Sequence, residues 1–208
     1  RLNLETSVHP VGVEGLRKHA QEWKLSDALQ ETLPRMKKLS DFYQSEAALC
    51  IDAWAAGILA GGSPLGRPEG TTRMGDMIFA AITGGLEWDS DPFSPPMDHP
   101  QGLILQFQDL GESLIWKVHT EAGTVFANPD NLGVDPSGAL LVCTDSDETD
   151  PYGQNMLCRY GETGWERLLV APPDAEVCGP SFAQDGALFC TIQHPAESWG
   201  DSSVVCVW

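Results

Sequence analysis

Basic residues are scarce in this chain. Lysine and arginine number 12 against 30 aspartates and glutamates, a formal net charge of −18 over 208 residues. Nucleic acid is bound through Lys and Arg set against phosphate, so this balance excludes a nucleic-acid partner and argues against anionic lipid. Long apolar runs are lacking too. No stretch of about 18 apolar residues occurs, and no transmembrane segment is expected. The six cysteines (Cys50, Cys143, Cys158, Cys178, Cys190, Cys206) form no CxxC pair, which excludes a zinc ribbon or dithiol redox motif. An even count permits disulfides in an oxidising compartment, and buried free thiols fit equally. No Ser-His-Asp pattern, phosphate loop or dinucleotide fingerprint is present, and no signal peptide is visible. The first residue is Arg1 rather than Met, so a processed or longer N-terminus is expected. The closing Val204-Val205-Cys206-Val207-Trp208 reads as a strand with more chain to follow.

What is present divides into two textures. Residues 1–62 read as a helical segment. Val13, Leu16, Ala20 and Trp23 recur at spacings of three and four. Pro34 should break that first helix. A second helical pattern runs from Leu39 to Ala60, with Phe42, Leu49, Trp54 and Ile58 among its apolar members, and Gly61-Gly62-Ser63-Pro64 stops it. Residues 63–208 read as β. The 21 glycines and 15 prolines suit many short strands joined by turns. Strands are expected at Met77–Ile82, Gly102–Phe107 and Ser113–Val118, the last two joined by a turn through Asp109 and Gly111; Trp88–Pro100 reads as a loop rich in Pro and Asp.

The second half carries an internal repeat. Asp135-Pro136-Ser137-Gly138-Ala139-Leu140-Leu141-Val142-Cys143-Thr144 resembles Gln184-Asp185-Gly186-Ala187-Leu188-Phe189-Cys190-Thr191. The offset suits one four-stranded propeller blade of about 40–50 residues. Asn155–Tyr160 and Trp165–Val170 supply two outer strands between the copies. The fold class is therefore mainly β with an N-terminal helical segment, and residues 63–208 are partial β-propeller-like blades of one larger domain. About three blades cannot close a ring.

Five phrases, in matching order and spacing, carry a family resemblance. Ala55-Ala56 leads to Gly66-Arg67-Pro68-Glu69-Gly70. Asn128-Pro129-Asp130-Asn131-Leu132 is followed by Asp135-Pro136 and Gly138. Thr144-Asp145 closes a strand. Ala175-Glu176-Val177-Cys178-Gly179-Pro180 and Ile192-Gln193-His194-Pro195 complete the set. Together they resemble the PhoX family of alkaline phosphatases, from about residue 42 to the C-terminus. The resemblance implies an exported protein, periplasmic or extracellular, with an organelle lumen as the alternative. It also implies a carboxylate-bound cluster of iron and calcium.

On this resemblance Glu69 and Glu176 would be metal ligands, followed by Asp130 and Asp145. Each of the four stands beside a strand end or turn, positions that converge near the axis of a propeller. Hard cations such as Ca²⁺ take six to eight oxygens, and clustered cations stabilise a transferring phosphoryl group. Asp130 and Asp145 also admit a reading as Asx-turn residues, and Glu69 as an exposed turn. His194 reads as a ligand, a phosphate contact or a structural strand-end residue. Cys178 stands where the family usually has Thr and reads as packing.

The departures from the family point to reduced activity. Trp54 replaces the family's Arg before the Ala-Ala pair, and an indole offers one donor and no charge. Thr83-Gly84-Gly85 replaces Thr-Asn-Asn, and the Trp88–Pro100 loop lacks the family's Arg. The family's cluster also draws on an N-terminal half, including a Cys ligand to iron, that this sequence does not contain. Calcium is the expected cofactor, with iron doubtful. The expected function is a divergent PhoX-like, phosphatase-derived domain with reduced or no phosphomonoesterase activity. The alternative is a non-catalytic structural or docking subunit of a larger assembly, which the seven Trp favour. A ligand- or carbohydrate-binding propeller rests on fold analogy alone. A protein partner, or the family's N-terminal half on another chain, is expected either way.

Overall fold

The computed structural model describes residues 2–18, 26–62, 65–84, 99–111, 113–146, 154–195 and 202–208. It divides into two compact units, with the chain passing from the first to the second between residues 62 and 65.

The first unit is helical, in short pieces: α1 (Pro10–Lys18), α2 (Asp27–Thr32), α3 (Glu46–Ile51) and α4 (Ala53–Leu59). Serines cap two of them. Ser26 Oγ accepts from Leu29 N at 3.3 Å and Ser45 Oγ from Ala48 N at 3.1 Å. α2 ends at Thr32, and Pro34 sits in a 3₁₀ turn over Leu33–Arg35, as a proline that cannot donate requires. The pattern from Leu39 to Ala60 is not one helix. After a 3₁₀ turn at Leu39–Asp41 it breaks at Asp52 (φ −111°, ψ 43°), which joins α3 to α4. The Tyr43 hydroxyl holds that break by donating to Asp52 Oδ2 at 2.9 Å. Leu16, Leu33, Leu39, Leu49, Ala56 and Leu59 form the core. Gly12 lets α1 approach α4, because a Cβ there would lie 1.9 Å from the Ile58 carbonyl oxygen. Trp54, expected on the apolar face, is 58% exposed on α4. Ala20 and Trp23 lie outside the described residues.

The second unit is three open antiparallel sheets. The first contains β1 (Pro68–Met74), β2 (Met77–Ile82), β3 (Leu103–Asp109) and β4 (Leu114–Glu121). The second contains β5 (Pro129–Val134), β6 (Leu140–Thr144), β7 (Met156–Gly161) and β8 (Gly164–Val170). The third contains β9 (Glu176–Phe182), β10 (Leu188–Gln193) and β11 (Ser203–Val207). Each is a meander in chain order. The described sheets do not close into a ring. The fold is thus mainly β with an N-terminal helical segment. Most of the Trp88–Pro100 loop lies outside the described residues.

β6 shows how one strand serves two cores. All five of its residues are buried. Alternate side chains of a strand point to opposite faces. Leu140 and Val142 pack with Phe79, Ile104, Phe126 and Met156 toward the first sheet. Leu141 and Cys143 pack with Leu157, Val177, Leu188 and Ile192 toward the third. Burying each such Leu or Val is worth roughly 1.5–3 kcal/mol. Cys143, Cys158, Cys178 and Cys190 are buried free thiols, whereas Cys50 and Cys206 are exposed.

The repeat seen in the sequence is a pair of Asp-Gly turns. Asp135 Oδ1 accepts from Ser137 N at 2.8 Å and Ala139 N at 2.8 Å, and Gly138 has φ +87°. Asp185 Oδ1 accepts from Ala187 N at 3.2 Å, and Gly186 has φ +90°. These left-handed positions favour glycine. They place β5/β6 and β9/β10 as equivalent hairpins, so their opposite ends are equivalent too.

Candidate metal centre

The first strand of each sheet in chain order carries an acidic residue at its first or second position. Glu69 is second in β1, Asp130 second in β5 and Glu176 first in β9. The first two strand heads are built alike. Arg67-Pro68-Glu69 and Asn128-Pro129-Asp130 are both residue-proline-acid, and Arg67 (φ +49°) and Asn128 (φ +47°) are both left-handed. A residue before proline normally avoids helical backbone, so tertiary contacts hold this conformation. The Arg67 carbonyl accepts from Thr83 N at 3.0 Å, and the Asn128 carbonyl from Asp145 N at 2.9 Å. Both strands then break register, between Pro68 and Thr71 and between Pro129 and Leu132. Such bulges re-aim side chains, and here they span Glu69 and Asp130.

Buried and half-buried polar residues tie one sheet head to the next. Thr83 Oγ1 donates to the Pro129 carbonyl at 2.9 Å, and Asn128 Nδ2 to the Thr83 carbonyl at 3.0 Å. Asn155 Nδ2 donates to the Ala175 carbonyl at 2.9 Å, while its Oδ1 accepts from Thr144 Oγ1 at 3.0 Å and from Ser146 N. Asn131 Oδ1 accepts from Gly179 N at 2.8 Å and its Nδ2 donates to Asp130 Oδ1 at 3.0 Å.

Four carboxylates stand at this end of the strands, in two groups. Asp130 and Glu176 face each other with Cys178, their donor atoms all within 4.8 Å of one another. Asp130 is only 8% exposed. Burial first, then contact with Glu176 and the charge of Asp145, push its carboxyl up to about 6, against the opposing charge of Arg67. The Cys178 thiol donates to Glu176 Oε1 at 2.8 Å and accepts from Gln193 Nε2 at 2.8 Å. Burial and the Glu176 carboxylate raise that thiol's pKa. The other group is organised by Arg67. Its Nη2 donates to Asp145 Oδ2 at 3.2 Å and its Nε lies 3.7 Å from Glu69 Oε1.

The Asx-turn role belongs to Asp135 and Asp185; Asp130 and Asp145 are engaged by Asn131 and Arg67 side chains instead. Glu69 is exposed, as its turn reading had it, but lies within β1 beside Arg67 rather than in a turn. His194 follows β10 with φ +52°. Cys178, read from sequence as packing, shares its sulfur with Glu176 and Gln193. Gly84 leaves no room for the amide expected there: its φ is +79° and a Cβ would lie 2.5 Å from Gly102 N. Sequence reasoning passed over Arg67, Asn131 and Gln193 as working residues. The paired residue-proline-acid heads were the available signal for Arg67.

A family model described as alkaline phosphatase PhoX matches residues 13–196. The chain belongs to the PhoX family. Among solved structures it is similar to Pseudomonas fluorescens PhoX in complex with vanadate, a transition state analogue. That match has a TM-score of 0.66 and 24% identity over 80% of this chain. The chain spans 38% of the length of that PhoX chain, and the likeness shows the fold. No curated protein matches it. PhoX membership makes this a phosphatase-related domain, and a metal fits the donor set described above. Among the described residues no helix is long and apolar enough to cross a membrane.

Proposed function

We propose that this chain is a divergent PhoX-type module. It holds divalent cations, calcium foremost, with the carboxylates of Glu69, Asp130, Asp145 and Glu176, and by itself hydrolyses phosphomonoesters slowly or not at all. One observation carries the reading: equivalent acids head the first strand of three successive sheets. Oxygen-rich, partly buried donors suit hard cations. A buried Asp130 against Glu176 is unfavourable without a proton or cation between them. When bound, such a cation supplies Lewis-acid stabilisation of phosphoryl oxygens. The chain's own residues do the rest. Asn131 orients Asp130, and the bulges aim the acids. Arg67 restrains Glu69 and Asp145 and offers a planar fork suited to phosphate oxygens.

Residues 1–62 as a helical segment, residues 63–208 as part of one larger propeller domain, and export to the periplasm or cell exterior belong to the same proposal. Trp54 and Gly84, standing where the resemblance puts polar family residues, support the reduced activity. A second reading, a non-catalytic docking subunit, is favoured by β4. This outermost strand leaves Leu114 53%, Ile115 57% and Trp116 62% exposed.

Calorimetric titration of the metal-stripped chain with Ca²⁺, beside a phosphomonoester hydrolysis assay, tests the proposal. Ca²⁺ uptake that Glu69→Gln and Glu176→Gln weaken, with hydrolysis at background, is expected. Uptake unchanged in both variants overturns the ligand assignment, and robust metal-dependent turnover overturns the claim of low activity.

A further inference from the structure

We infer that His119 is a pH-operated latch on the seam between the first and second sheets. As neutral imidazole it holds β4 against β7 and β8, and protonation in mildly acidic solution releases that edge while the rest of the fold stands. The inference is independent of the cation reading of the strand-head acids.

The ladder between β3 and β4 slips at His119. Ile104 faces Thr120 and Leu105 faces Val118, which leaves His119 without a ladder partner of its own. Such a bulge re-aims side chains. Alternate residues of a strand otherwise point to opposite faces, yet here two consecutive side chains reach one ring on the second sheet. His119 lies against Trp165 with ring centroids 6.5 Å apart, and Thr120 Oγ1 accepts from Trp165 Nε1 at 3.2 Å. Phe79 of β2 and Tyr160 of β7 complete the cage, each with its ring centroid 5.1 Å from that of His119.

The cage suits a neutral ring only. His119 Nε2 is buried with no hydrogen-bond partner among the described residues. The titratable and charged groups on the faces packed around the ring are Lys117 of β4, Cys158 and Tyr160 of β7, and Arg167 of β8, while β2 and β3 present Phe79 and Gln106. Lys117 and Arg167 are cations, and no carboxylate stands among these described groups. Burial first, then the charge of Lys117, disfavours the imidazolium. A buried charge without a partner is costly, so the protonated ring reaches water by the parting of the seam. Little else holds this edge. Leu114, Ile115 and Trp116 are each more than half exposed. Arg167 Nη2, donating to the Val125 carbonyl at 3.0 Å, ties the sheets beyond β4 and marks where the opening ends. On the far side of β6, Leu141 and Cys143 stay packed against the third sheet, so the opening is local. A released histidine titrates at about 6.5, and the latch therefore opens as pH falls below that value.

Hydrogen exchange of the full chain, read by mass spectrometry at pH 7.5 and pH 5.0 and corrected for the intrinsic exchange rate, tests the latch. Opening of β4 and β8 is expected to rise roughly tenfold or more relative to β6, against a ceiling of about thirtyfold for a ring that titrates at about 6.5 once released and not at all in the cage. His119→Phe, which keeps a ring in the cage without a titrating nitrogen, should abolish that rise. Trp165→Phe, which removes the bond to Thr120 and leaves the imidazole, should loosen the seam at both pH values and keep the rise. Equal rises at β4 and β6, or a rise that persists in His119→Phe, overturn the inference. So does a His119 ring that NMR of the unsubstituted chain shows to be protonated while β4 stays protected. That measurement decides the matter even where a variant does not fold.

Discussion

Asp130 on β5 and Glu176 on β9 meet carboxylate to carboxylate, although 46 positions separate them in the chain. Neither would stand there for stability alone, since like charges at a buried point oppose folding. The contact costs stability in the cation-free chain, and it yields a measurable signature.

In the metal-free chain Asp130 destabilises the fold when ionised. Its carboxyl is raised from 3.8 to about 6, so the folded state holds a proton that the unfolded state has lost. The favourable contribution is complete below about pH 4 and disappears as pH rises through about 6. Urea unfolding with chelator present should therefore show Asp130→Asn more stable than the unsubstituted chain at pH 7.5, by about 1–2 kcal/mol. The two should converge near pH 4. A gap that is constant with pH would show that Asp130 is not raised.

Asp135 predicts the opposite slope. Burial opposes its ionisation, but the Ser137 hydroxyl, the Arg159 guanidinium at 2.6 Å and the Ala139 amide outweigh burial and lower it to about 2. Its contribution is present above about pH 4 and is lost as pH falls through 2. Discounted for screening near the surface, Asp135→Asn should cost about 1 kcal/mol at pH 7. The difference in unfolding free energy should shrink through pH 2 and vanish below it.

His119 on β4 sits among Phe79, Tyr160 and Trp165 with a buried Nε2 that has no hydrogen-bond partner among the described residues. Burial first, then the charge of Lys117, lowers its pKa. The folded state therefore favours neutral imidazole, and stability falls as pH drops below about 6.5, the ordinary histidine value. His119→Phe should flatten the loss of thermal stability between pH 7 and pH 5. An unchanged slope would mean that the ring is protonated freely in the folded chain.

Asn155 is 6% exposed and bridges the second and third sheets through Thr144, Ser146 and the Ala175 carbonyl. Asn155→Ala leaves several buried groups unpaired and should cost about 2–3 kcal/mol in urea unfolding. Gly84→Asn, which restores the residue type the family carries, should destabilise by about 1 kcal/mol or more, because φ is +79° and the added Cβ meets Gly102. Stabilisation by Gly84→Asn would show that the segment has room the geometry denies.

How far the sequence could be read follows the range of the interactions. Hairpin turns were legible because Asp135 and Asp185 bond amides two residues on, and glycine follows them. Strand positions in the β half were legible from short apolar runs bounded by turn residues, and Pro34 from its missing donor. The break at Asp52 was not, because apolar spacing continues through it and the Tyr43 hydroxyl that holds it comes from nine residues away. Trp54 fitted a helical apolar stripe, but α4 turns that position outward.

By itself the sequence determined the mainly β class with a helical start, the repeat of Asp-Gly hairpins, and the four acids that the family motifs single out. All of these depend on neighbours within a few residues or on residue type. Only the tertiary structure decided how the acids are grouped. Arg67 reaches Asp145 across 78 positions, and Asp130 reaches Glu176 and Cys178 on a different sheet. Such pairings are fixed by how these strands lie beside one another, which is set by the cores around β6 and by Thr83, Asn131 and Asn155, and no local pattern encodes them.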